Sequence, residues 1–233
     1  IVTVTDDVVD DSRRALAESL GCGLSIPAND LGALLDGVDM LFPAPGVPHD
    51  HPMIRAAQAR DIRVMSEIEL AYLIEQDRPG GPRAMVAVTG TDGKTTTVAM
   101  VAEILRAAGR RPVECGNTDV PMVDATEMDV DTYVIECSSF RLQWCEQFRA
   151  DAAIWLNLAA DHLDWHGDIN DYAAAKARIW SAQRSDDVAV GVMGDPVVAQ
   201  HLGNVSARAV GVGDGGDYRV DDGWLHGPDG PIM

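Results

Sequence analysis

Short, almost continuous apolar runs alternate with stretches in which hydrophobic residues recur every three or four positions, over nearly the whole chain. Runs of the first kind fit strands buried on both faces, and stretches of the second kind fit helices with one face turned inward. In the first part, Ile1–Val4, Met40–Phe42 and Ile62–Val64 predict strands, with helices near Asp11–Leu20, His51–Ala59 and Ile68–Glu75. Pro79-Gly80-Gly81-Pro82 is the densest cluster of chain breakers and sets the expected domain boundary, giving domains over residues 1–83 and 84–233. Beyond it, strands are predicted at Ala84–Val88, Thr132–Cys137, Ala152–Leu158, Val188–Val192 and Ala207–Val212, and Pro112–Cys115 fits a strand less well. Helical spacing covers Thr95–Ala108 and Tyr172–Gln183. Strand and helix alternating in this way is the pattern of an α/β protein with largely parallel sheets.

Composition narrows the partners. With 46% hydrophobic and 24% charged residues, the chain can bury a sizeable core. A net charge of −19 and the lack of any basic stripe exclude a nucleic-acid binder. A phosphorylated ligand stays compatible, because distant acids are screened beyond roughly 8 Å at physiological salt and local donors decide. Cys22, Cys115, Cys137 and Cys145 have no CxxC spacing and read as reduced thiols of a cytoplasmic protein. No apolar run reaches the roughly 18 residues of a membrane helix, so membrane insertion is not expected. The abrupt start on a strand-like run and the uncapped end at Gly230-Pro231-Ile232-Met233 read as those of a fragment.

The strongest chemical signal is Val86-Ala87-Val88-Thr89-Gly90-Thr91-Asp92-Gly93-Lys94-Thr95-Thr96. A buried strand enters a glycine-bearing turn, and a helix starts directly after it. Gly90 and Gly93 are expected to permit backbone angles that turn amide N–H groups inward, where the positive helix end adds to an anion site. Lys94 would reach the β- and γ-phosphates, and the Thr95 hydroxyl would ligate Mg²⁺. The full phosphate-loop pattern wants glycine where Val88 stands, so an ordinary strand-to-helix turn is the competing reading.

Three further positions stay open on spacing alone. Glu136 ends the apolar strand before Cys137-Ser138-Ser139-Phe140-Arg141, and it is either a surface acid or a metal ligand at the carboxyl edge of the sheet. Asp161-His162-Leu163-Asp164-Trp165-His166 also follows a strand and invites a zinc reading, but solvated polar residues are the safer one without an HExxH or a cysteine pair. Lys176, within Tyr172-Ala173-Ala174-Ala175-Lys176-Ala177-Arg178-Ile179, reads as a solvated helix lysine.

Taken together, the Thr-Gly-Thr-Asp-Gly-Lys-Thr-Thr loop, Ile135-Glu136-Cys137-Ser138-Ser139-Phe140-Arg141-Leu142, Asp161-His162-Leu163-Asp164 and the Lys176 helix resemble the Mur ligase family, in particular its D-glutamate-adding branch. The resemblance implies a Rossmann-like N-terminal domain that binds a UDP-substrate, followed by a P-loop ATPase-type parallel-sheet central domain, both incomplete. The first strand with its glycine-rich turn and the C-terminal acceptor domain would be missing. It implies nucleotide contacts from Gly90, Thr91, Asp92, Gly93, Lys94, Thr95, Thr96 and Asn117, and catalytic roles for Lys94, His162 and a carbamylated Lys176. Two Mg²⁺ ions would be held by Thr95, Glu136, His162 and Lys176. Asp6, Pro45, Gly46, Asn117, Ser138 and Arg141 would face the UDP-substrate.

Departures from the family pattern are Asp92 for asparagine, Ala44 for serine in the Ala44-Pro45-Gly46 turn, Asp119 for glycine and Arg141 for glutamine. The implied reaction is ATP-dependent addition of D-glutamate to UDP-N-acetylmuramoyl-L-alanine through an acyl phosphate, by a cytoplasmic monomer. A non-catalytic nucleotide-binding module, another Mur ligase and a folyl-polyglutamate-type synthase are the alternatives.

Overall fold

The computed structural model describes residues 2–25 and 31–232, and Ile1 of the expected opening strand lies outside them. The chain divides into two compact units: residues up to Pro43 with Val47–Val64, and Ala44–Gly46 with Met65 onward.

The first unit contains β1 (Thr3–Thr5), α1 (Asp11–Ser19), β2 (Gly23–Ser25), α2 (Leu31–Leu34), β3 (Met40–Leu41), α3 (Pro52–Gln58) and β4 (Arg63–Val64). β1 pairs in parallel with β2, and β3 with β4. Helix α1 starts where Asp10 caps the backbone N–H of Arg13 at 2.9 Å, and α3 starts on Pro52 with His51 as its cap. Leu35, Met53 and Ala57 form a small core with Leu41 and Val64 against them.

The second unit runs through α4 (Glu67–Gln76), β5 (Ala84–Thr89), α5 (Lys94–Ala107), β6 (Pro112–Gly116), α6 (Met122–Ala125), β7 (Thr132–Glu136), α7 (Ser139–Leu142), β8 (Ala152–Trp155), α8 (Leu163–His166) and α9 (Ile169–Ser181). It continues with β9 (Val188–Val192), α10 (Pro196–Leu202), β10 (Arg208–Val212) and a small antiparallel sheet of β11 (Arg219–Asp221), β12 (Trp224–Gly227) and β13 (Gly230–Pro231). The main sheet has six parallel strands in the order β10-β9-β8-β5-β7-β6. All five residues of β7 are buried, as are Met85, Ala87, Val88 and Thr89 of β5, which is why these strands read as unbroken apolar runs.

The compact units part at Val64 and Met65, ahead of the Pro79–Pro82 breakers where the sequence puts its boundary. The reason lies in α4, which is tied to the second unit by buried carboxylates. Glu69 accepts the backbone N–H groups of Glu146, Gln147 and Phe148 at 2.9 to 3.2 Å. Glu75 pairs with Arg83 at 2.9 Å and accepts the Tyr133 hydroxyl at 2.8 Å. Each of these would be costly to leave unpaired in the interior, so α4 docks where its partners are. The Pro-Gly cluster marks a turn between α4 and β5.

Strand order places the candidate loop. The chain leaves central β5 for one edge at β6, returns to β7, and crosses to β8 on the other side of β5. The carboxyl end of β5 therefore lies at a reversal of strand order, where open α/β sheets form their ligand crevice.

Candidate active site

Gly93 is the N-cap of α5 at φ +81°, in the left-handed region, and no side chain caps the helix. The first-turn amides of α5 have no acceptor within the helix and present partial positive charge, an anion site made of backbone. Gly90 is a glycine for a different reason from the one expected. It has no left-handed backbone angle; a β-carbon there would sit 3.1 Å from Leu156 Cβ and 3.2 Å from the Asp92 carbonyl oxygen.

Lys94 Nζ curls back over the loop, donating to the carbonyls of Gly90 at 3.0 Å and Thr91 at 2.8 Å. Lys176 Nζ donates to the same Gly90 carbonyl at 2.7 Å and lies 4.5 Å from the centre of the Tyr172 ring. The reading of Lys176 as a solvated lysine is overturned: the residue is 1% exposed. Helix α9, capped by Asp168, turns Tyr172, Ala175, Lys176 and Ile179 inward on one face. Burial, and then the neighbouring Lys94 charge, pull the Lys176 amine from the usual 10.5 down to about 7. The neutral, nucleophilic form is thus abundant at neutral pH.

Glu136 is 3% exposed, which excludes the surface-acid reading. Its Oε2 accepts the Thr95 hydroxyl at 2.7 Å, and its Oε1 accepts the Asn117 side-chain amide at 3.1 Å. Asn117 reaches it because Gly116, at φ +95°, lets the two chains approach until a β-carbon would be 2.5 Å from the Glu136 carbonyl oxygen. Asn117 N also donates to that carbonyl at 2.9 Å. A carboxylate and a hydroxyl oxygen at the start of an anion-binding helix are the hard donors that Mg²⁺ prefers, so Thr95 and Glu136 fit one such ion.

The other expected ligands are less tightly gathered. His162 is exposed, left-handed at φ +53°, and packs its ring 4.8 Å from that of Phe140 with Asp161 3.3 Å away. Among the described residues no group of three or more His, Cys, Asp or Glu side chains is placed to hold a metal, so the Asp161-His162-Asp164-His166 run forms no zinc cluster. His166 is buried and bonds the Ser139 hydroxyl at 2.9 Å.

Ser138 caps α7. Arg141 pairs with Glu67, whose other oxygen accepts Val123 N at 2.6 Å, while Arg141 Nε is buried without a partner. Asp92 is exposed, and Thr96 lies in the first turn of α5. Asp6 follows β1 directly, accepts Val8 N at 2.9 Å and pairs with Arg13 at 3.1 Å. Pro45 and Gly46 form an exposed turn after β3. Sequence reasoning missed Gly116, Tyr172 and, above all, Asn157, whose side chain bonds the loop.

The Mur ligase middle domain family matches residues 88–223, more than half of the 233-residue chain. The chain belongs to the Mur ligase family. It is 40% identical over 230 residues to a UDP-N-acetylmuramoylalanine–D-glutamate ligase of Nocardia farcinica, covering 94% of this chain and 47% of the relative. A protein of the same name from Streptomyces avermitilis is 40% identical over 187 residues, covering 79% of this chain and 39% of its own length. The chain thus spans about half the length, or less, of these curated relatives. In fold it resembles MurF from Acinetobacter baumannii, at TM-score 0.58 and 20% identity over 71% of this chain and 40% of that one. It also resembles the UDP-N-acetylmuramate:L-alanyl-gamma-D-glutamyl-meso-diaminopimelate ligase from Neisseria meningitides, at TM-score 0.57 and 18% identity over 98% of this chain and 75% of that one. The α/β class and the parallel-sheet central domain expected from the sequence are borne out.

Proposed function

We propose that this chain is the nucleotide-binding part of an ATP-dependent ligase that adds D-glutamate to UDP-N-acetylmuramoyl-L-alanine in peptidoglycan precursor synthesis. The observation that carries the reading is the contact of Thr95 with the buried Glu136 carboxylate beside a loop whose Gly90 carbonyl binds both Lys94 and Lys176. The names of the 40%-identical relatives support the choice of substrate, and a MurF ligase from Thermotoga maritima described in complex with ADP supports the nucleotide.

In this reading the first-turn amides of α5 and Lys94 bind the β- and γ-phosphates. Thr95 and Glu136 would hold one Mg²⁺, which would neutralise phosphate charge. A carboxylate oxygen of the alanyl substrate attacks the γ-phosphorus, the bridging P–O bond to ADP breaks, and an acyl phosphate forms. The D-glutamate amine then adds to the acyl carbon, loses a proton, and expels phosphate as the amide closes. Joining two anions needs electrostatic help above all, and each cation–anion pair at about 4 Å contributes about 4 kcal/mol at an effective dielectric near 20. Lys176, whose neutral amine burial favours, adds to CO₂ with loss of a proton, and the resulting carbamate with His162 would supply ligands for a second Mg²⁺. Asn117, Ser138 and Arg141 serve the muramoyl substrate, and Asp6 with Pro45 and Gly46 the uridine nucleotide. Residues 1–83 would act as the UDP-substrate domain and residues 84–233 as the ATP domain, in a cytoplasmic monomer. Among the described residues no helix is long and apolar enough to cross a membrane.

In the full-length protein, Lys94→Ala is expected to abolish phosphate release that depends on ATP, UDP-N-acetylmuramoyl-L-alanine and D-glutamate together. Undiminished turnover would refute the reading. Replacing D-glutamate with other amino acids distinguishes this branch from related ligases.

A further inference from the structure

The geometry points to Asn157 as the positioning residue of the phosphate-binding loop, a side chain that holds the loop in its anion-accepting shape before any ligand arrives. The inference rests on the nucleotide reading above. Asn157 lies just beyond β8, in sequence far from the loop it serves. Its Oδ1 accepts two consecutive loop amides, Thr91 N at 2.9 Å and Asp92 N at 3.0 Å. Its Nδ2 donates to the Asp92 carbonyl at 3.2 Å. The side-chain amide thus does for the loop what a neighbouring strand would do, supplying an acceptor and a donor in one plane. Aspartate offers no donor, and serine or alanine is too short to reach both groups.

The surrounding contacts point the same way. Thr91 N also approaches the Asn157 carbonyl at 3.2 Å, and Ala159 N donates to Thr91 Oγ1 at 2.9 Å. Gly90 lies so close that a β-carbon there would be 3.4 Å from Asn157 Oδ1. The loop is therefore laced along residues 157–159, the segment that continues into Asp161 and His162.

Three consequences follow. The amides of Thr91 and Asp92 are committed to Asn157, which leaves those from Gly93 onward, at the head of α5, for a phosphate. A loop of this kind would otherwise lose conformational freedom on binding, and ordering it beforehand raises affinity without any added ligand contact. Asn157 also holds residue 92 only by its main chain, so an aspartate there leaves the loop's scaffold intact.

The test uses the chain itself, with ATP and Mg²⁺ as the probe. Asn157→Ala is expected to weaken ATP binding at least tenfold by calorimetry. Amide hydrogen exchange should rise in peptides spanning residues 90–94 while β7 peptides keep the parent's protection. Should the alanine variant melt below the assay temperature, Asn157→Ser replaces it with the same expectation. Lys94→Ala is run beside them. If Lys94→Ala loses ATP while the Asn157 variant binds within twofold of the parent and exchanges like it, the positioning role is overturned and the nucleotide reading stands. If Lys94→Ala binds ATP as the parent does, the nucleotide reading itself fails. A purely structural role would speed exchange in β7 together with the loop, and that result also overturns the inference.

Discussion

Lys176 gives the sharpest quantitative expectation, because its amine is buried, shared with a loop carbonyl and crowded by a second lysine. Replacing it by methionine keeps a long unbranched side chain, one atom shorter, and removes the titration. A fall from 10.5 to about 7 corresponds to about 5 kcal/mol of cost for the charged form in the fold. The folded value lies below the unfolded one, so this cost is fully present below pH 7. It is relieved as pH rises from about 7 toward 10.5, where only the unfolded chain still binds the proton.

The parent should therefore gain stability relative to Lys176→Met by roughly 2 kcal/mol between pH 7.5 and 9. The comparison must be a difference between the two chains, because the buried thiols of Cys115, Cys137 and Cys145 are pushed up and act in the opposite sense above pH 9. Urea denaturation of both chains at a series of pH values, in CO₂-free buffer to keep the amine unmodified, gives that difference directly. A parent-to-variant difference that stays constant within about 0.5 kcal/mol over this range would refute the reasoning. Bicarbonate added to the parent, followed by native mass measurement, then reads carbamate formation.

Two further outcomes concern the other side of the loop. Gly116→Ala forces a β-carbon to 2.5 Å from the Glu136 carbonyl oxygen at a backbone angle of +95°, and should cost about 2 kcal/mol or more in urea denaturation. Stability equal to the parent's would contradict the close approach described here. Glu136→Gln removes charge while keeping shape, and should raise the Mg²⁺ concentration needed for half-maximal ATP binding at least tenfold. An unchanged half-saturation in a fluorescent-nucleotide titration would remove Glu136 from the cation site.

The scaffold was legible in the sequence where signals are local. Val188–Val192 is a strand with the bounds predicted, and β5, β7 and α5 lie within a residue of expectation, since continuous apolar runs and helical spacing report burial directly. The expected strand Ala152–Leu158 stops at Trp155 because the next residues turn onto the loop, with Leu156 N donating to the Thr89 carbonyl at 3.0 Å. The compact units part before α4 and not at the Pro-Gly cluster, which reports a turn, because Glu69 and Glu75 decide which side α4 packs on.

Lys176 shows a signal that was present and outweighed. It falls on the stripe of Tyr172, Ile179 and Trp180, where a solvated residue has no reason to be. Asn157 and the Arg141–Glu67 pair left no such trace, for their partners lie 65 and 74 residues away and no local periodicity encodes them.

The Gly90 carbonyl, contacted by two amines, behaves as a socket with a spare plug. Were Lys94 to swing outward to an arriving phosphate, Lys176 would still fill the acceptor, so the Gly90 oxygen would keep a partner. The loop can accordingly exchange its resting grip for a ligand's with little reshaping of the backbone beneath.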